Sequence, residues 1–427
     1  MFIPSTDFRS SFLAFRFFLS PYPLSMPTLP SPSPHACHWN LDPDTVFLNH
    51  GSYGACPTPV LEAQQHYRDR MECEPVRFFM LDVEELLDRS RDAVAAFVGC
   101  DIEGLAFLPN VTQAVATVID NLLLQPGDEI LVNDHEYSAC ISTFTKAAHR
   151  AGARIVKAMI PFPTRSADDI HDAVMAAVTP RTRIALLSHI TSPTALVFPA
   201  ARLTESLRAR GIEVLLDGAH APGQIPLDVC AINAHYYTAN LHKWPCCPKG
   251  TAFLWVHPER RKGFEPLALS ARAHLERADR DRFRALFDYI GTDDYTGFLA
   301  IPHALDFLAS LEGSWEALFS RNRALVLEGQ RILCEALGTE PATPDSLVGT
   351  MATLIIPGVG LPSGGTAPGR YEDPLQEQLV EGHHIQVPVW SLPSQGQRLL
   401  RISAQAYNSR EQYEYLADAL KTELARE

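Results

Sequence analysis

Between Leu105 and Val256, short apolar runs alternate with segments of helical period, and no other feature of the sequence restricts the fold so tightly. The runs are LAFLPN (Leu105 to Asn110), EILVND (Glu129 to Asp134), RIVKAM (Arg154 to Met159), RIALLSH (Arg183 to His189), EVLLDGAH (Glu213 to His220) and TAFLWV (Thr251 to Val256). Between them lie TQAVATVIDNLLL, ACISTFTKAAHRAG, DDIHDAVMAAV and ARLTESLRARG, whose apolar residues recur at helical spacing. A strand buried on both faces is apolar throughout, and its parallel neighbour is reached through a crossover, usually a helix. The pattern therefore predicts an α/β fold with a mostly parallel sheet flanked by helices.

After Tyr295 the pattern changes. GFLAIPHALDFLASLEG predicts one long helix with an internal proline, and EALFSRNRALVLEGQRILCEALG a second. A strand (TMATLIIP), a polar Gly/Pro-rich insertion (Gly358 to Arg370), RLLRISAQAYN and a terminal helix complete a smaller α+β domain. The first 36 residues, rich in Ser, Pro and Phe, suit a disordered tail or an over-long start better than a targeting peptide, because Arg16 and Asp7 interrupt the pattern. The expected organisation is a tail over 1–40, an N-terminal segment packing on the small domain over 41–66, a large domain over 67–296 and a small domain over 297–427.

Fifty acidic against 36 basic side chains, a net charge of -14, disfavour nucleic acid as a partner. No run approaches the roughly 18 apolar residues that a membrane span needs. The nine cysteines lack CxxC spacing, so the expectation is reduced thiols, a cytoplasmic location and no metal site.

In an open α/β sheet, ligands bind beyond the carboxyl ends of the strands. There the sequence places Asn110-Val111-Thr112, which opens a helix and suits a phosphate or an ordinary cap. Asp217 follows EVLL and needs a cation if buried, although a cap or metal ligand would also sit there. Lys243 follows the segment YYTANLH, with His242 beside it, and by itself suits a surface lysine too. A phosphate cradle, a buried carboxylate and a lysine on neighbouring strand ends are together the set that pyridoxal phosphate requires.

The motifs FLNHGSYG (Phe47 to Gly54), DHEYSA (Asp134 to Ala139), SHITSPTA (Ser188 to Ala195), LLDGAHAPG (Leu215 to Gly223), ANLHKW (Ala239 to Trp244) and RISAQAYN (Arg401 to Asn408) occur in that order. In these the chain resembles the class V aminotransferases of fold type I, in their isopenicillin N epimerase-like branch. The resemblance extends from residue 45 to residue 420 and implies a seven-stranded-type sheet, pyridoxal 5'-phosphate and a homodimer. It implies that Lys243 carries the Schiff base and moves the α proton, that Asp217 holds the pyridinium nitrogen, and that His220 contacts the phenolic oxygen. It places Thr112 with the neighbouring backbone of Val111, His242 and Asn240 at the phosphate, Ser192 among the cofactor contacts, and Thr292 as a contact from a second subunit. His135 and Tyr137 compete to stack on the cofactor ring and to act as the second acid/base. Arg401 would hold the substrate carboxylate, and Asn49, His50 and Arg77 would line the entrance.

Relatives that desulfurate cysteine carry a nucleophilic cysteine shortly before the carboxylate-binding arginine, whereas EGHHIQVPVWSLPSQGQR contains none. Persulfide chemistry by that route is disfavoured, and Cys246 and Cys247 are expected to be packed core thiols. The function implied is epimerisation of an amino-acid-type substrate. Carbon–sulfur β-elimination or transamination are alternatives on the same scaffold, and a catalytically silent ligand-binding protein is the non-enzyme alternative.

Overall fold

The computed structural model describes residues 28–360, 370–392 and 394–427. Its strands in chain order are β1 (Val46–Phe47), β2 (Leu105–Leu108), β3 (Glu129–Asn133), β4 (Arg154–Ala158), β5 (Thr182–Ser188), β6 (Glu213–Asp217), β7 (Tyr236–Asn240), β8 (Ala252–Val256), β9 (Met351–Ile355), β10 (Ile385–Gln386), β11 (Val389–Leu392) and β12 (Gln397–Ser403). Seven of them form one sheet in the order β2-β8-β7-β6-β5-β3-β4. Its pairs are parallel except those of β8, which runs antiparallel to both β2 and β7.

The unbroken apolar runs follow from burial of both faces. Leu131, Leu187, Leu216 and Ala239 point to one side, against helices Val83–Val98, Ala167–Ala176, Ala200–Arg208 and Ile301–Leu311. Ile130, Val132, Leu186 and Leu215 point to the other, against helices Val111–Asp120 and Ser138–Ala151. Successive strand residues face opposite sides, so with both sides dry a polar residue at either parity would forfeit about 1.5–3 kcal/mol of burial.

In the small domain, β11-β12-β9 form an antiparallel sheet. Its core is shared with helices Trp315–Leu337 and Arg410–Leu424. Strand β1 pairs in parallel with β10, and Val46 and Leu48 join the small-domain core, so the N-terminal segment is tied to that domain.

Two expectations change. The long helix after Tyr295 is two helices, Thr296–Leu299 and Ile301–Leu311, broken at Ala300. Pro302 falls in the first turn of the second, where its missing N–H costs nothing, whereas inside one helix it would clash with the preceding turn. The expected tail over 1–40 is also too long at its C-terminal end: Pro34–His38 is a 3-10 helix, and Ser33 N–H donates to the Tyr407 carbonyl at 3.0 Å. Trp39 is buried against Tyr407 and Phe307, which supplies the apolar contact a tail would lack. Residues 1–27, and 361–369 of the Gly/Pro-rich insertion, lie outside the described residues.

Candidate active site

Strands β2, β3, β5, β6 and β7 run the same way, so their carboxyl ends share one edge of the sheet. A cavity of about 160 Å³ opens there. Asn110, Val111 and Thr112 line it from the turn after β2, Tyr137 from beyond β3, and Ser188 and Ser192 from β5 and its loop. Asp217 and His220 enter from β6, Asn240, His242 and Lys243 from β7, and Ser52 and Tyr53 from the N-terminal segment.

Three ionisable groups meet here, Asp217 and Arg401 buried and Lys243 partly so, and none of them forms an ion pair with another side chain among the described residues. Asp217 is buried, and its carboxylate accepts the Ala219 N–H at 2.8 Å and the Cys140 thiol at 3.4 Å. Burial raises its pKa, opposed mainly by the Ala219 hydrogen bond and the positive charge of Lys243. The Lys243 amine lies 3.0 Å from His220 Nε2, and burial together with the Arg401 charge pushes it down to about 7. The Trp244 indole N–H donates to His220 Nδ1 at 3.4 Å, so the neutral ring carries its proton on Nε2 and presents it to the lysine amine.

Arg401 is 1 % exposed. Its Nη1 donates to the Ser192 carbonyl at 2.6 Å and to Ser192 Oγ at 3.2 Å, and its Nη2 to Ser52 Oγ at 3.2 Å and Asn49 Oδ1 at 3.4 Å. The guanidinium stacks over the Trp390 ring at 4.7 Å, Nε has no partner, and burial lowers the pKa to about 9. A buried cation with only neutral partners is costly. The geometry therefore fits a ligand that brings a protonated ring nitrogen to Asp217, a carbonyl carbon to Lys243 and an anion to Arg401.

The donors at the far end suit a phosphate. Asn110 caps the helix Val111–Asp120 by accepting the Gln113 N–H at 2.9 Å, and Asn240 Oδ1 accepts the Val111 N–H at 3.1 Å. Val111 thus spends its N–H on Asn240, which leaves Thr112 as the first-turn donor at the cavity wall. His242 Nδ1 donates to the Thr251 carbonyl at 2.8 Å, so Nε2 is its free ring nitrogen. Burial and the neighbouring Lys243 charge lower His242 to about 4; a bound phosphate dianion would act in the opposite direction.

Other residues named from the sequence lie elsewhere. His135 is fully buried away from the cavity, bonded to Thr194 Oγ1 at 2.9 Å and edge-on to Phe162, whereas the half-exposed Tyr137 lines the cavity. His50 does not line an entrance: it is fully buried, 2.9 Å from the Lys243 carbonyl. Arg77 is exposed beside Glu74 and Asp82 and away from the cavity, because its short helix Pro75–Arg77 sits on the surface. Asn49 touches Arg401, as given above. Thr292 is exposed, bonded to Tyr289 at 3.2 Å, outside the cavity of its own chain. Cys246 and Cys247 are fully buried.

Sequence reasoning missed Glu136, Cys140, Ser52 and Tyr53. Glu136 is buried and accepts Ser188 N–H and Asn133 Nδ2 at 2.9 Å each; burial and the Asp217 charge push it up to about 8. Its signal was its place just beyond the run EILVND, at a strand's carboxyl end. Cys140 gave none, being one apolar residue on a helical face. Gly54 explains how the N-terminal segment comes so close: its φ is 70°, and a Cβ there would stand 2.2 Å from the His242 carbonyl oxygen.

The family model of aminotransferase class-V matches residues 46–353. The chain is 35% identical over 392 residues to the isopenicillin N epimerase of Streptomyces clavuligerus, covering 89% of this chain and 95% of that one. It is 32% identical to putative L-cysteine desulfhydrase 1 of Oryza sativa subsp. japonica, over 87% of this chain and 82% of that one. Among solved structures, a mutant of C-DES with glycine covalently linked to its PLP cofactor matches 91% of this chain and 99% of its own, with a TM-score of 0.73 at 20% identity. The cysteine desulfurase CsdA from Escherichia coli matches 92% and 98%, with a TM-score of 0.72 at 20% identity. The chain therefore belongs to the class V aminotransferase family and is one of its pyridoxal-phosphate-dependent enzymes.

Proposed function

We propose that the enzyme removes the α proton of an amino-acid-type substrate onto Lys243 while a second group delivers its own proton to the opposite face, which is epimerisation. The observation that carries this reading is the meeting at one cavity of Asp217 and Lys243, which line it, with the buried Arg401 bonded to Ser192 and Ser52 of its wall, none of the three in an ion pair among the described residues. Pyridoxal phosphate, when bound, captures the substrate amine and draws electron density away from the α carbon.

The chain's own residues divide the remaining work. Lys243, pushed down to about 7, is half neutral near physiological pH and is suited to take and give a proton there. Asp217 would hold the cofactor's ring nitrogen protonated, and His220, whose Nε2 lies 3.0 Å from the lysine amine, would offer its N–H to the phenolic oxygen. Arg401 grips the substrate carboxylate through two parallel hydrogen bonds, which a lysine could not supply. Thr112, Asn240 and His242 would hold the phosphate, and Ser192, which lines the cavity, fixes Arg401 at its wall. Tyr137 enters the same cavity from beyond β3, with β6 and β5 between it and β7, which brings Lys243, and is the second proton carrier.

Carbon–sulfur β-elimination is the second reading, because a desulfhydrase relative is nearly as similar as the epimerase. We also propose a homodimer in which the exposed Thr292 reaches the partner's phosphate site, and, on the nine unpaired thiols, a cytoplasmic location. No helix among the described residues is long and apolar enough to cross a membrane.

The test is proton NMR of an amino-acid panel incubated with the cofactor-loaded enzyme in deuterated water. Epimerisation replaces the α proton by deuterium and erodes optical purity; elimination from cysteine yields pyruvate, ammonia and sulfide. Exchange that survives Lys243→Ala would sink the reading.

A further inference from the structure

Lys243 begins a tight turn, Lys243-Trp244-Pro245-Cys246, closed by the Cys246 N–H bonding the Lys243 carbonyl at 2.9 Å. Cys246 takes a φ of 54°, a left-handed conformation that a non-glycine residue holds only where its surroundings enforce it. Some of the contacts that hold it come from outside the large domain. His50 Nε2 lies 2.9 Å from the Lys243 carbonyl, and His50 Nδ1 lies 2.7 Å from the Tyr407 hydroxyl. Gln405 Nε2 donates to the Trp244 carbonyl at 3.3 Å. Tyr407 and Gln405 are each 1 % exposed and His50 is fully buried, so water does not substitute for these bonds.

The tautomer follows from the two short contacts. A carbonyl can only accept, so His50 Nε2 must carry the proton, and Nδ1 must accept from the Tyr407 hydroxyl. A directed chain runs from the small domain through an imidazole into the backbone of the lysine. Asn408 anchors its far end, donating to the Phe47 carbonyl at 2.9 Å and accepting the Gln405 N–H at 2.9 Å. The motifs FLNHGSYG and RISAQAYN thus meet on the carbonyls of Lys243 and Trp244.

We propose that His50, oriented by Tyr407, is a positioning residue that fixes the backbone of Lys243 and so sets where its amine stands during proton transfer. The inference rests on the reading of Lys243 as the proton carrier. Misplacement of a catalytic group by about an ångström can cost about 100-fold in rate. Substrate binding through Arg401 does not pass through this chain of bonds.

The experiment compares native enzyme, His50→Gln and Tyr407→Phe, all cofactor-loaded. Tyr407→Phe keeps the shape of the buried ring and removes only the hydroxyl, so it reports on the link even if His50→Gln folds poorly. Two quantities are read: the pH midpoint of the cofactor's visible absorbance, and kcat and KM for α-proton exchange in deuterated water. The expected result is a midpoint displaced by about half a pH unit or more and a kcat about tenfold or more lower, with KM within about threefold. A midpoint and kcat in folded Tyr407→Phe equal to native overturn the proposal. Failure of the underlying reading looks different: Lys243→Ala would then exchange α protons as fast as native.

Discussion

Replacing Lys243 by methionine probes the electrostatics of the cofactor-free site. Burial and the Arg401 charge push the lysine from 10.5 down to about 7 in the folded protein. The unfolded chain therefore binds more protons than the folded one between pH 7 and pH 10.5, and the lysine's penalty on stability fades as pH rises through that window. Linkage puts the penalty at about 4 kcal/mol at pH 7, about 2 kcal/mol at pH 9 and under about 1 kcal/mol at pH 10. Methionine has similar length and no charge, and loses only the hydrogen bond to His220, worth about 1 kcal/mol. Cofactor-free Lys243→Met should thus be the more stable protein at pH 7 by roughly 3 kcal/mol, with the gap closing by about 2 kcal/mol at pH 9. Urea unfolding at both pH values, with m unchanged, measures it. A gap independent of pH, or a variant less stable than native at pH 7, would refute the assignment of a desolvated amine.

Asp217→Asn should fold and bind cofactor but lose about 100-fold or more in kcat, because a neutral amide no longer holds the ring nitrogen protonated; undiminished turnover would make the carboxylate structural. Arg401→Lys should lose about 2 to 4 kcal/mol in kcat/KM, or roughly 30- to 1,000-fold, since one ammonium cannot replace a bidentate grip. Cofactor affinity should hardly change in that variant, and equal amino-acid dissociation constants for native and variant would rule out the clamp.

Much of this was legible because the signals are local. The apolar runs of β3, β5, β6 and β8 are continuous since both sheet faces are dry, Asp217 stands where β6 ends, and Lys243 stands three residues beyond the end of β7. What escaped depends on contacts between distant segments. Nothing in HGSY separates a histidine at an entrance from one buried on the carbonyl of Lys243, 193 residues away. His135 and Tyr137 lie two residues apart beyond β3, and only the packing of Thr194 and Phe162 decides which faces inward. Arg77 misled for the opposite reason: a charged residue C-terminal to the motif FLNHGSYG has its partners, Glu74 and Asp82, outside the cavity.

The central claim is that the amine of Lys243 binds the cofactor. Borohydride reduction of the yellow, cofactor-loaded protein followed by peptide mapping tests it most directly, since reduction traps the cofactor only on the amine that holds it as an imine. The account predicts a single modified peptide carrying the label on Lys243 and none in Lys243→Ala. A label on Lys249 instead, or undiminished labelling of the Lys243→Ala protein, would contradict it.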